Sequence, residues 1–160
     1  YAAFLGERLG MTDKEIENLR IGGLIHDIGK IGIDQNVLDK PGKLNPEERQ
    51  QIEIHPVLGE EICSPLKSLQ AVTNIIRNHH ERLDGSGYPD GLQDNGIPLE
   101  VRIVSIVDVF DALTTDRSYR PAMSIDEALA IIRQEANQGK LDVSLVREFE
   151  VMLQEMFLLF

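Results

Sequence analysis

The chain has four histidines, His26, His55, His79 and His80, and helical periodicity turns them, together with Asp108, toward the interior from separate helices. Nothing else in the sequence constrains the fold as much. Imidazoles and a carboxylate are costly in an apolar core unless something joins them. Segments far apart in sequence must therefore converge on one point, and no histidine is left over for the surface.

The carrier segments read as helices. Thr12-Asp13-Lys14-Glu15 is a capping box. The helix it opens places Ile16, Leu19, Gly23 and Leu24 on one stripe and ends at His26-Asp27. Residues 28–44 read as a loop or short turns, broken by Gly29, Gly32, Pro41 and Gly42. Asn45 caps the next helix, with Pro46 at N1 and Glu48 at N3, and the expected inner stripe is Ile52, His55, Leu58 and Ile62. Residues 66–82 form a helix with Leu69, Val72, Ile75, Ile76 and His79 inward, followed by a Gly-, Pro- and Asp-rich loop over 84–98. Leu99 to Thr115 is an apolar helix in which Asp108 and Asp111 interrupt Val101, Val104, Val107 and Phe110. Ser124-Ile125-Asp126-Glu127 is a second capping box opening a helix to about Asn137, and Asp142 caps an amphipathic final helix.

No alternating strand pattern of useful length occurs. The expectation is an all-α helical bundle of about six or seven helices in one domain spanning 1–160. The opening, Tyr1 to Leu9, reads as mid-helix with no N-cap, as in a piece excised from a longer protein.

Composition narrows the function. Asp and Glu number 27 against 16 Lys and Arg, a net charge of −11, which excludes broad binding of DNA, RNA or a membrane surface. A small anionic ligand is still allowed, because bound divalent metals reverse the local sign. A single cysteine, Cys63, rules out an internal disulfide and suits a reducing, cytoplasmic setting; it reads as a small buried apolar residue. There is no signal peptide and no apolar run long enough to span a bilayer.

Each candidate has a plainer explanation when taken alone. Asp108 could pair with Arg102, His55 could be an ordinary core histidine, and His79-His80 could be a cation pair at a helix C-terminus. Lys30 could be solvated, and Arg117 and Arg120 could be surface charge. Their joint occurrence favours one metal site made of His26, Asp27, His55, His79, His80 and Asp108. Adjacent helical residues point about 100° apart, so His26-Asp27 and His79-His80 serve a two-metal cluster, or a turn, better than one ion in a regular helix. Imidazole and carboxylate without thiolate suit Fe, Mn, Zn or Ni. Lys30 beside such a site can protonate a leaving oxygen, and the Arg117 and Arg120 forks suit phosphate.

These residues resemble the HD-GYP family, a subset of the HD phosphohydrolase superfamily. His26-Asp27 with Gly29-Lys30 resembles the HD signature, and Gly87-Tyr88-Pro89 within the run from His79 to Pro89 resembles the GYP signature. Lys40-Pro41-Gly42-Lys43-Leu44, His55-Pro56 with Gly59, and the run Arg102 to Thr114 are similar to the family pattern too. The resemblance covers almost the whole chain. It implies an HD-domain-like fold and hydrolysis of cyclic di-GMP to linear pGpG, to GMP, or to both. It also implies two or three divalent metal ions, Fe or Mn ahead of Zn or Ni. By resemblance, His26, Asp27, His55, His79, His80 and Asp108 are metal ligands, Lys30 is the catalytic lysine, and Asp27 belongs with it to the catalytic set. Arg117 and Arg120 contact substrate phosphate, and Tyr88 shapes the pocket. An upstream sensory or receiver domain, and contacts with other signalling proteins through the GYP loop, are implied in the same way.

The chain departs from the family at Ser118, where proline is usual, and at Leu141-Asp142-Val143, where Phe-Asp-Pro is common. A further Glu or His ligand, usual on the first helix, would precede Tyr1. Two other functions fit the same residues: a module that binds cyclic di-GMP or a protein without cleaving, and an HD phosphohydrolase for another nucleotide. The complete visible ligand set weighs against the first and the GYP segment against the second.

Overall fold

A computed structural model describes residues 1–116 and 121–158. Among these the chain is all helical: α1 (Ala2–Arg8), α2 (Asp13–Ile25), α3 (Gln35–Leu38), α4 (Pro46–Glu53), α5 (His55–Cys63), α6 (Thr73–Asn78), α7 (Leu99–Thr114), α8 (Ile125–Asn137) and α9 (Val143–Leu158). Short 3-10 turns occupy Ile28–Gly32, Lys67–Val72 and Asp94–Gly96. With α4–α5 taken as one bent helix and the single turn α3 set aside, the number of helices is the expected one, but the single helix expected over 66–82 is a 3-10 turn over Lys67–Val72 followed by α6, which ends at Asn78. The only ladder pairing among the described residues is an isolated bridge between Asp84 and Gln93.

The capping signals act as read. Thr12, Asn45 and Ser124 each accept from the backbone N–H three residues on, and Glu15, Glu48 and Glu127 return the bond. Asp142 accepts from the Ser144 and Leu145 amides at the start of α9. These caps satisfy amides that the first helical turn leaves without partners.

The main core lies where α7 meets α1, α8 and α9. It is built from Leu5, Val101, Ile103, Val104, Ile106, Phe110, Ile132, Phe149 and Leu153, all essentially without solvent contact. Tyr1 and Phe149 meet Phe110 edge to face, with centroids 5.5 and 5.2 Å away. A smaller cluster of Cys63, Val72 and Ile76 ties α5 to α6 behind the histidines, and Cys63 is buried as expected.

Two stripes differ from the sequence expectation. Leu24 is 84 % exposed, because α2 turns Leu19 and Gly22 inward, with Ile75 Cδ1 filling the space a side chain at Gly22 would take. Ile62 is exposed too. The helix breaks at Ile54, and the buried positions of α5 become His55, Pro56, Gly59 and Cys63.

Glycine sets the closest approach in the molecule. A Cβ on Gly29 would lie 1.9 Å from the His55 carbonyl oxygen and 2.5 Å from the Gly59 nitrogen, both rigid backbone. The turn after His26-Asp27 therefore lies directly against the first turns of α5. Gly29→Ala should cost about 3 kcal/mol by overpacking and lower the melting temperature by about 6–12 °C for a chain of this size. A thermal melt within about 2 °C of the parent would contradict this packing.

Candidate metal centre and its cavity

Three histidines are oriented by one device. His26 Nδ1 donates to the Gly23 carbonyl at 2.7 Å, His55 Nδ1 to Ile52 at 2.7 Å, and His79 Nδ1 to Ile76 at 2.9 Å. Each acceptor lies three residues back, in the last turn of α2, α4 or α6, where carbonyls lack a full set of backbone donors. Pro56 helps at His55, since proline has no N–H to offer the Ile52 carbonyl. With the proton on Nδ1, the Nε2 of His55 and of His79 presents a bare lone pair inward, the tautomer a metal-ligating histidine needs, and His26 reaches the same form on giving up the proton it shares with Asp108.

These lone pairs face the Asp27 carboxylate. Asp27 Oδ1 is 3.2 Å from His55 Nε2 and 3.8 Å from His79 Nε2. Asp27 Oδ2 is 3.5 Å from His26 Nε2 and 2.5 Å from Lys30 Nζ. The non-helical turn at Asp27, φ −93° and ψ 8°, lets neighbouring side chains address one centre. His26 Nε2 also meets Asp108 Oδ1 at 3.4 Å, and His80 Nδ1 lies 3.9 Å from Asp108 Oδ2. Asp27 thus joins a group of His55, His79 and His80 to a group of His26 and Asp108.

The donor set fits divalent metal. His55 Nε2 and His79 Nε2 sit 3.4 Å apart, and neither carries the proton that would make this a hydrogen bond. Asp27 Oδ1 is buried with no donor. Single ligand atoms of Asp27, His55, His79 and His80 all lie within 4.8 Å of one another. Acceptors crowded together in this way call for a cation among them.

Protonation agrees. Burial, with the positive charge of His26 adding to it, pushes His79 down to about 4. Burial and the neighbouring His79 lower His80 as well. The pair is therefore neutral, not the helix-end cation pair that was the plainer reading. Burial alone would raise Asp27, but facing His55 and the ion pair with Lys30 hold it well below the usual carboxylate range. Burial would also raise Asp108, but hydrogen bonding from His26 outweighs it and the group is lowered. His26 itself is raised: Asp108 and Asp27 outweigh its burial. Asp108 does not pair with Arg102, which instead binds Asp142 and the carbonyls of Ile97 and Asp94.

A cavity of about 430 Å³ opens over this cluster, lined by Lys30, His55, His80, Arg82, Tyr88 and Asp108 among others. The Tyr88 ring stacks on His80 with centroids 4.8 Å apart. Burial and the charge of Glu53 raise the Tyr88 hydroxyl, keeping it a neutral donor. Arg117 and Arg120 lie outside the described residues.

Glu81 and Arg82 have roles that their sequence pattern does not mark. Glu81, 2 % exposed, accepts from the amides of Asp90, Gly91 and Leu92 at 2.7, 3.1 and 2.9 Å, so it staples the loop carrying Tyr88 to the end of α6. Arg77 pins that loop from outside with two bonds to Asp90, and its third nitrogen reaches Glu60 on α5. Gly87 completes the fold-back: a Cβ there would meet backbone atoms of His80, Glu81 and Arg82 within 2.5 Å. The one sequence signal for Glu81 and Arg82 is their position directly after His79-His80.

Comparison with known proteins agrees with this geometry. Residues 1–145 match the family model described as HD domain. The chain is 44% identical over 142 residues to the cyclic di-GMP phosphodiesterase response regulator RpfG of Xanthomonas campestris pv. campestris, covering 88% of this chain and 37% of that protein. It is 44% identical over 138 residues to 3'3'-cGAMP-specific phosphodiesterase 1 of Vibrio cholerae, covering 86% of this chain and 32% of that protein. Among solved structures, Bd1817, an HD-GYP-type protein from Bdellovibrio bacteriovorus, superposes with a TM-score of 0.74 at 26% identity, over 94% of this chain and 48% of that one. The HD-GYP resemblance read from the motifs therefore holds. The chain spans about a third of the length of the curated relatives it matches.

The orientation device gives a direct expectation. In metal-free protein at pH 7, long-range ¹H–¹⁵N spectra should show His55 and His79 as Nδ1–H tautomers. His79 should stay neutral as the pH falls until about 4. An Nε2–H on either ring, or protonation of His79 near pH 6.5 as for a free imidazole, would contradict the arrangement.

Proposed function

The chain belongs to the HD domain family, and from that premise we propose that it is a metal-dependent phosphodiesterase that opens cyclic di-GMP to the linear dinucleotide, to GMP, or to both. One observation carries the reading. The Asp27 carboxylate stands between two groups of inward lone pairs, beneath a cavity that also contains a lysine and a tyrosine hydroxyl.

In this reading His55, His79 and His80 with Asp27 would hold one divalent ion, and His26 and Asp108 with the same Asp27 would hold a second. When bound, such ions supply a water of lowered pKa and neutralise phosphoryl oxygens. Fe or Mn suits the imidazole and carboxylate set, with Zn and Ni as further candidates. Asp27 would serve both groups, since its Oδ1 faces His55 and His79 and its Oδ2 faces His26. Lys30 Nζ, at the cavity edge and bound to Asp27 Oδ2, gives a proton to the departing ribose oxygen. Tyr88, kept as a phenol, donates to the bound nucleotide. Arg117 and Arg120 hold phosphate, by resemblance to the family. The relatives also favour a second substrate, 3'3'-cGAMP, which the named Vibrio cholerae enzyme hydrolyses. Control by a sensory or receiver domain elsewhere in the full-length protein is part of the same proposal. Among the described residues no helix is long and apolar enough to cross a membrane.

The test is a ligand variant. His79→Ala should lose bound metal and lower kcat/KM on cyclic di-GMP at least about a hundredfold, the upper range for weakening even an outer partner of a metal ligand. A variant that keeps both metal and turnover would overturn the assignment.

A further inference from the structure

Among the described residues Arg82 is the half-buried arginine without a carboxylate partner; Arg147 on α9, which also has none, is exposed. Arg8, Arg20, Arg49, Arg77, Arg102 and Arg133 each have a carboxylate partner. Arg82 Nη1 is held by two neutral acceptors, the Glu81 carbonyl at 2.9 Å and Ser105 Oγ at 2.7 Å. Ser105 is itself buried, on α7, one turn before Asp108. The helix that contributes a carboxylate to the cluster thus also aims the guanidinium. In a chain of net charge −11, a partly desolvated cation without a counter-charge is costly until an anion arrives.

The place of Arg82 says which anion. With His80 and Tyr88 it lines both the cavity over the cluster and an adjoining cavity of about 290 Å³. Lys30 and Asp108 line only the first, and Arg49, Lys140, Glu53 and Glu135 only the second of these two. A phosphate at Arg82 would therefore sit apart from one over Asp27. A cyclic dinucleotide has two phosphates on one ring.

We propose that Arg82 is a substrate-binding residue that takes the phosphate not being cleaved, with Ser105 as its positioning residue, and that the nucleotide extends past it into the second cavity. This rests on the phosphodiesterase reading only for the identity of the ligand. A single-phosphate diester has nothing to place at Arg82, so the residue selects dinucleotides over simpler esters.

The test combines binding and turnover in metal-loaded protein, for the parent, Arg82→Gln and Arg82→Lys. Binding uses a slowly hydrolysed phosphorothioate analogue of cyclic di-GMP. Arg82→Gln should raise its Kd about tenfold or more at unchanged metal content, and Arg82→Lys, which keeps charge but loses the fork, about threefold. The kcat/KM for cyclic di-GMP relative to bis(p-nitrophenyl) phosphate should fall about tenfold in Arg82→Gln, mainly through KM. If Kd and that ratio both stay within about twofold, Arg82 has no such role while the phosphodiesterase reading stands. If the parent binds the analogue and Arg82→Gln does not, but cyclic di-GMP is never cleaved, Arg82 is upheld and the phosphodiesterase reading falls. A parent that does not bind the analogue at all overturns both.

Discussion

A carboxylate and several imidazole nitrogens that cannot donate to one another are held face to face, and the rest of the structure serves that confrontation. His55 Nε2 and His79 Nε2 are 3.4 Å apart with both ring protons committed elsewhere. Left to themselves the rings would turn or part. They stay because helix ends hold them. The last turns of α2, α4 and α6 each present a carbonyl to the Nδ1–H of the histidine three residues on. Short helices are thus a functional requirement here, since a continuing helix would occupy those carbonyls. Gly29, pressed against the backbone of α5, brings the Asp27 turn into register with His55.

The same economy governs the loop that closes the cavity. Glu81 follows directly after the histidine pair and spends its carboxylate on three loop amides. The loop then returns Gly87 onto the backbone it came from and sets Tyr88 on the face of His80. Helix α7 packs Val104, Ile106 and Phe110 into the main core while its Asp108 lines the cavity and its Ser105 holds Arg82. One apolar helix so anchors the bundle, the cluster and the Arg82 guanidinium. The family relation fits this architecture, because the motifs that define the resemblance are the helix ends and fold-backs that shape the cluster.

Much of this was legible in the sequence, for identifiable reasons. Capping boxes at Thr12, Asn45 and Ser124 are local bonds between side chains and nearby amides, so they survive without knowledge of the fold. The convergence of the histidines with Asp108 followed from the cost of burying them singly. The errors lie where tertiary contact decides. Periodicity turns Leu24 inward, but Gly22 is where Ile75 of α6 presses on α2. Periodicity puts Ile62 on the inner face of one continuous helix, whereas the break at Ile54 resets the face of α5. Arg82 could not be singled out, because what marks it is partial burial without a carboxylate neighbour in space, and a sequence does not list neighbours. The roles of Arg117 and Arg120 rest on resemblance alone.

The central claim is that the cluster around Asp27 is a divalent-metal centre performing phosphodiester hydrolysis. The most direct measurement is metal content per chain, by mass spectrometry, alongside hydrolysis of cyclic di-GMP before chelation, after it and after re-addition of Fe²⁺ or Mn²⁺. The account predicts two or more ions per chain, loss of turnover with the metal, and its return with either ion. Metal-free protein that hydrolyses cyclic di-GMP at the undiminished rate, or a fully loaded chain that hydrolyses no cyclic dinucleotide, would contradict it.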